Sequence, residues 1–302
     1  MLAKKVLISG SSGLVGRELC IFLKKKGYAI FFLKRFKTTD INCVYWDPYS
    51  ESNDIHDFEN FDVMIHLSGE NVGRGRWSKK KKKRIFNSRA QPTQNLCNIL
   101  KRLKKPPKVF ITASAVGFYG DCGETTVNEW TSPRSNSFLS SVCRSWEKPT
   151  KNLEAHGIRV VNIRLGTVFS TRGGALKQLA QIFNLGLGSV LGTGKQFMSW
   201  IALEDVVQSI NHIIQQVHIK GPVNLVAPNP VTNKVFSKEL ASSLHRFLLP
   251  PIPRWVVILI FGQKGIEIFL TSSKVESCVL KKSGYNFIYP SISEFFKSTF
   301  DT

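Results

Sequence analysis

Short apolar runs alternate, over the first half of the chain, with longer stretches whose apolar residues recur every three or four positions. Val6-Leu7-Ile8-Ser9 is a buried-type run that meets a glycine turn. From Leu14 to Lys26 the residues Leu14, Val15, Leu19, Phe22 and Leu23 share one helical face and lysines fall on the other, with Gly27 as the stop. Tyr28 to Leu33 and Asp62 to Leu67 read as further strands. Ser78 to Leu103 predicts a long basic helix capped by Ser78, which Pro92 should kink or split. Lys108 to Thr112 predicts a strand, Ser140 to His156 a helix and Ile158 to Ile163 a strand. Continuous apolar strands separated by helices predict a parallel sheet covered on both faces.

After Arg164 the rhythm changes. Gly173, Gly174, Gly186, Gly188, Gly192 and Gly194 punctuate a loop-rich stretch. A helix from Glu204 to Gln216 and a strand from Val223 to Val226 would return to the sheet, and prolines and short helices follow to Thr302. The expected fold class is α/β, a doubly wound parallel sheet with a smaller C-terminal substrate lobe. Residues 1–165 would form the sheet domain, completed by 202–228. Residues 166–201 and 229–302 would form the lobe.

Composition changes the picture in one respect. The chain of 302 residues carries 42 lysines and arginines against 21 acids, a formal charge of +21. A basic surface attracts phosphates, nucleic acid or anionic membrane. The excess is spread from Lys4 to Lys297, densest at Lys79 to Arg84, without a nucleic-acid recognition signature, so it reads as solvated helix faces. Cys20, Cys43, Cys97, Cys122, Cys143 and Cys278 show no pairing or metal-ligand spacing, which predicts reduced thiols and no metal site. The apolar part of Met1-Leu2-Ala3-Lys4-Lys5 is too short for a signal-peptide core. The apolar run Trp255 to Phe261 is broken by Gly262-Gln263-Lys264-Gly265, far short of the ~20 residues of a bilayer span. A cytoplasmic protein is expected.

The strongest chemical signal is Ser9-Gly10-Ser11-Ser12-Gly13-Leu14-Val15-Gly16, three glycines between a strand and an amphipathic helix. Gly10 would permit the tight turn, Gly13 would clear the pyrophosphate, and Gly16 would let helix and strand pack closely. Exposed amides at the helix start, those of Leu14 and Val15 among them, would face phosphate charge. The end of the second strand, Phe31-Phe32-Leu33-Lys34-Arg35-Phe36, lacks the carboxylate that binds a ribose 2′-hydroxyl in NAD sites. Lys34 and Arg35 stand there instead, with Arg17 nearby, and a guanidinium suits a 2′-phosphate. The cofactor expected is NADP(H).

Several stretches carry a family likeness: ISGSSGLVGREL from Ile8, IHLSGENVGRGRW from Ile65, ITASAVGFYGDCGE from Ile111, VCRSWE from Val142, IRLGTVFSTRGGAL from Ile163, LGTGKQFMSWIALEDVV from Leu191 and GPVNLVAPNPVTNKVFSKEL from Gly221. With these, and with KKSGYNFIYPSISE near its end, the chain resembles the atypical short-chain dehydrogenase/reductases called epimerase family proteins, related to nucleoside-diphosphate-sugar epimerases. The resemblance implies an extended Rossmann fold with the cofactor across the C-terminal ends of the strands. It sets Leu67-Ser68-Gly69 near the adenosine half and Thr112-Ala113-Ser114 near the nicotinamide. Residues after Arg164, and Met198-Ser199-Trp200, would face the substrate crevice.

The resemblance also exposes a departure. Working extended dehydrogenases pair a serine or threonine with Tyr-x-x-x-Lys, the tyrosine being the acid/base. Ser114 occupies the serine position, but counting back from Glu147 puts Leu139 and Cys143 where tyrosine and lysine should be. Any redox chemistry then needs another proton carrier. Tyr119 and Cys143 are the candidates, although each can also be read as core: a packed aromatic and a small buried thiol. Glu70 and Asn71 could orient a substrate hydroxyl. Arg164 could face the site or pair with Glu204 or Asp205, and His66 reads as a core histidine. Arg74, Arg76, Arg84 and Arg89 flank Trp77 and could hold an acidic substrate or simply be solvated.

Three functions compete on these grounds. The first is an NADP(H)-dependent oxidoreductase or epimerase-like enzyme acting on a small substrate, sugar nucleotides included. The second is a non-catalytic NADP(H)-binding sensor or scaffold, which would explain the missing Tyr/Lys pair. The third, nucleic-acid or membrane-surface binding through charge, is the weakest as a primary role.

Overall fold

The apolar runs become strands β1 (Lys5–Ser9), β2 (Ala29–Lys34), β3 (Cys43–Tyr45), β4 (Val63–His66), β5 (Val109–Ala115) and β6 (Arg159–Leu165). Short strands β7 (Thr167–Phe169), β8 (Ser189–Leu191), β9 (Phe197–Met198) and β10 (Trp200–Ala202) precede β11 (Gly221–Leu225), and β12 (Val231–Thr232) and β13 (Leu249–Ile252) follow it. Seven strands form one parallel sheet in the order β11-β6-β5-β4-β1-β2-β3. The computed structural model describes residues 3–50 and 52–300; Met1 and Leu2, read above with the N-terminal stretch, lie outside it.

The helices are α1 (Leu14–Lys25), α2 (Lys79–Leu100), α3 (Phe138–Glu147), α4 (Gly174–Asn184), α5 (Leu203–Gln215), α6 (Asn233–Ser243), α7 (Arg254–Phe261), α8 (Cys278–Lys282) and α9 (Ile292–Phe300). Successive strand residues point to opposite faces, so the sheet has two cores. Val6, Ile8, Ile65 and Ile111 bury against Leu19 and Leu23 of α1 and Val206 and Ile210 of α5. Leu7, Met64 and Phe110 bury on the other side against Leu96 and Leu100 of α2. A third cluster, built around Phe169, Trp200, Phe236, Phe295 and Phe296, forms the core of the smaller C-terminal region. Part of that region returns to the main sheet, since Leu280 and Tyr285 belong to the first core.

Two local expectations give way. The helix holding Pro92 runs unbroken from Lys79 to Leu100, with Pro92 itself buried. The loss of one backbone hydrogen bond, about 3 kcal/mol, is outweighed by burial of Ile85, Leu96, Cys97 and Leu100 on the sheet. The helix expected from Ser140 to His156 ends at Glu147, and tighter turns cover Lys148–Asn152 and Glu154–His156. Pro149 accounts for the break, because it cannot donate within a continuing helix.

Strand order reverses at β1, which lies between β2 and β4. In such sheets the crevice at the C-terminal strand ends is where ligands collect. Ser9, Lys34, His66 and Ser114 therefore end up along one rim.

Candidate functional site

The glycine turn is shaped by its neighbours. Gly10 has φ +75°, and a Cβ there would stand 2.8 Å from the Leu67 carbonyl carbon and 2.9 Å from Ser68 N. Gly16 is more constrained: its Cβ would fall 2.2 Å from the Gly10 carbonyl oxygen. Gly13 N donates to Gly10 O at 3.0 Å, which closes the turn. A Cβ on Gly13 would meet only Gly10 O, at 3.3 Å, so its outer side is clear for a ligand. Ser78 and Ser137 cap α2 and α3 with their hydroxyls, whereas α1 has neither a side-chain cap nor an acid in its first turn. Its amides and dipole are left for an anion. Gly173 and Gly174 pack over Leu14, and Arg172 pairs with Glu18, so the glycine-rich segment after β7 abuts the start of α1.

At the neighbouring strand end, Ser9 stands in register with Leu33, just before Lys34 and Arg35. Lys34 Nζ lies 5.3 Å over the Phe32 ring. Arg35 and Arg17 are exposed and carry no ion pair among the described residues. Asp40 is turned away to accept from Asn42 N at 2.9 Å. No carboxylate stands at the end of β2.

The end of β5 holds a buried polar chain. Ser114 Oγ donates to Glu147 Oε1 at 2.6 Å. Arg164 grips the same carboxylate twice, Nε to Oε1 at 2.9 Å and Nη2 to Oε2 at 2.8 Å. Arg164 Nη1 also donates to Tyr119 OH at 2.9 Å, and that hydroxyl donates to Asn224 Oδ1 at 2.8 Å. The guanidinium lies 3.5 Å from the centre of the Phe118 ring and is 4% exposed. Sequence reasoning missed Glu147 as a partner and used it only for counting. The available signal was a lone carboxylate four residues after Cys143 on an amphipathic helix, together with an arginine inside an apolar strand.

Comparisons with known proteins meet this geometry. A family model described as the NAD dependent epimerase/dehydratase family matches residues 6–225. The chain belongs to that family. It is 34% identical over 289 residues to epimerase family protein Mb2239 of Mycobacterium bovis, covering 96% of this chain and 95% of the relative. It is 33% identical over 290 residues to epimerase family protein YfhF of Bacillus subtilis, covering 94% of each. Human epimerase family protein SDR39U1, solved with NADPH, superposes with a TM-score of 0.90 at 28% identity over 99% of both chains. A nucleoside-diphosphate sugar epimerase from Corynebacterium glutamicum superposes at 0.80 with 31% identity, over 99% of this chain and 58% of that one.

Within this epimerase-family fold the sequence-derived candidates fare unequally. Leu139 and Cys143 do stand beside the β5 end, because a Cβ on Gly117 would lie 3.3 Å from Leu139 Cβ and 4.0 Å from Cys143 Sγ. Cys143 is buried, and desolvation, then the Glu147 charge, pushes its thiol up to about 11, which removes the thiolate it would need. Tyr119 is wholly buried with its hydroxyl committed at both ends, and burial raises it to about 12. It is a core aromatic, not a free acid. Arg164 pairs with Glu147 rather than Glu204 or Asp205; the Asp205 carboxylate accepts instead from Tyr285 OH and the amides of Ile288 and Tyr289.

The crevice candidates shift too. Trp200 is fully buried, stacked on Phe169, and faces no crevice. Met198 is half-buried against the same aromatic cluster. Glu70 is paired with Lys81 at 2.5 Å. Asn71 shapes its own loop, its Oδ1 accepting from Gly73 N at 2.8 Å and Arg74 N at 3.2 Å. Gly69 leans on Arg89, which donates to Glu70 O at 2.9 Å and stacks on Trp146.

The far wall comes from the C-terminal region. Lys264, buried, donates to Gly73 O at 3.2 Å and Gly75 O at 2.9 Å. The Glu267 carboxylate accepts from Phe138 N at 3.1 Å and Leu139 N at 2.8 Å, holding the start of α3. Among the described residues no group of three His, Cys, Asp or Glu could hold a metal ion, no helix is long and apolar enough to cross a membrane, and the six cysteines are free.

Proposed function

We propose that this chain is an NADP(H)-dependent oxidoreductase or epimerase-like enzyme acting on a small substrate of the sugar-nucleotide kind. The observation that carries the cofactor choice is the end of β2, where exposed Arg35 follows Lys34 and no acid competes. Gly10 to Gly16 and the uncapped start of α1 would hold the diphosphate, with Ser11, Ser12, Leu14 and Val15 around it. Arg35, with Lys34 and Arg17, would hold the 2′-phosphate. Leu67, Ser68 and Gly69 would flank the adenosine half, and Ala113 the nicotinamide half. When bound, the cofactor supplies or accepts a hydride.

Ser114 would be the polar group next to the nicotinamide. Its hydrogen is already given to an ionised carboxylate, so its oxygen is left as an acceptor. It would therefore hold a hydroxyl or amide N–H rather than polarise a carbonyl. Arg164 and Glu147 would act through it as positioning residues.

Calorimetry tests the cofactor reading. Arg35→Asp should weaken NADPH binding by about tenfold or more while NADH binding holds or improves, since one paired charge is worth about 1.4 kcal/mol or more. Equal loss of both, or no loss, would refute the assignment.

The non-catalytic sensor reading keeps one specific support: Leu139 packs on Gly117, where a catalytic phenol would stand. Turnover separates the two. The enzyme reading expects a carbonyl compound to oxidise NADPH, or a sugar nucleotide to reduce NADP+ or to be epimerised with no net change in the cofactor. It also expects Ser114→Ala, by loosening how the substrate is held, to slow turnover about a hundredfold. A broad panel that gives no NADPH oxidation, no NADP+ reduction and no epimerised product would favour the sensor.

A further inference from the structure

We propose that α7, together with the basic start of α2, forms a docking surface for an anionic lipid bilayer. Three large apolar side chains of α7 lie open to solvent: Trp255 at 67% exposure, Leu259 at 68% and Ile260 at 51%. Val257, across the helix from Trp255 and Leu259, is buried and anchors it. A patch of this kind on a soluble domain marks an interaction surface rather than chance exposure.

The charge around it is one-sided. Arg76 Nη2 donates to Leu259 O at 3.1 Å, and Lys82 Nζ donates to Gln263 Oε1 at 2.9 Å, so the lysine run of α2 lies directly beside α7. Arg74, Lys79, Lys80, Lys83, Arg84 and Arg254 are exposed. No acid occurs from Asn71 to Gly120 or from Leu240 to Ile266. The bordering acids are spent: Glu70 on Lys81, Glu267 on the α3 amides. The lysine run, read from sequence as a solvated face, thus borders the most exposed apolar helix of the chain.

That combination selects the occupant. A basic rim around a tryptophan and aliphatic residues suits anionic headgroups above an acyl boundary. A second copy is disfavoured, because a two-fold interface over α7 would bring two lysine runs together, with no acid between Leu240 and Ile266 to meet them, in a chain of formal charge +21. A polynucleotide would use the charge but leave Leu259 and Ile260 without a partner.

Co-sedimentation of the full chain with vesicles tests this. Binding is expected to equal-part phosphatidylcholine and phosphatidylglycerol vesicles, but not to phosphatidylcholine alone, with release at high salt. Trp255→Asp with Leu259→Asp should cut binding by about tenfold or more. Lys80→Ser with Lys83→Ser should do likewise, and carries the test if the first variant misfolds. The proposal is overturned if the mixed vesicles bind nothing, or if the folded α7 variant binds as well as the parent. It is equally overturned if sedimentation velocity shows a dimer that Leu259→Asp dissolves.

Discussion

Replacing Glu147 by alanine is expected to cost about 3–5 kcal/mol of folding stability, a large share of the roughly 5–15 kcal/mol that holds a domain folded. The reason is Arg164, which would keep a guanidinium 4% exposed with no carboxylate to meet it. Ser114 would lose its acceptor in the same change. The pair itself need not be a net stabiliser, since desolvating two charges opposes their attraction. Glu147→Leu combined with Arg164→Met should therefore recover most of what the single change loses. Urea midpoints for the two single variants and the double variant, at constant slope, would decide it. A single-variant loss below about 1 kcal/mol would show that Arg164 finds another partner.

Acid should weaken the protein through His66. The ring is wholly buried beside Trp46, with Ser9 Oγ 2.6 Å from Nδ1 and no partner at Nε2. Burial first, then the nearby Arg89 charge, lowers its pKa from 6.5 to about 3. Above 6.5 the imidazole is neutral folded or unfolded, and pH has no effect through this group. Below 6.5 the unfolded chain takes up a proton that the folded one refuses, so stability falls by about 1.4 kcal/mol per pH unit until roughly pH 3. From about pH 7 to about pH 5 that amounts to about 2 kcal/mol. His212, also lowered by burial, adds in the same direction, so the comparison is with a folded His66→Gln variant, whose acid loss should be smaller. An identical loss in both proteins would acquit His66.

What could be read from the chain was what repeats or punctuates. Val6-Leu7-Ile8 and Phe110-Ile111 are strands because continuous apolar residues suit a sheet covered on both faces. The turn at Gly10 was visible because helix and strand meet around it. The absence of an acid after Leu33 was equally plain. The pairing of Glu147 with Arg164 was not, because residues in a helix and a separate strand carry no mark of which opposite charge they will meet. Trp200 looked like a crevice residue from its motif, yet its neighbour in space is Phe169, and only the folded lobe brings those rings together. Pro92 misled for a related reason: a local penalty is legible in sequence, and the burial that overrides it is not.

The return of the chain to the main sheet limits how the crevice can open. Leu280 and Tyr285 sit in the first core, and Glu129 ties β11 to the start of α8 by accepting from Asn224 N, Cys278 N and Val279 N. Swinging the smaller region as a rigid door, pivoting after Leu225, would tear these contacts apart. Any exchange of ligand at the strand ends that keeps the fold intact therefore leaves this frame in place.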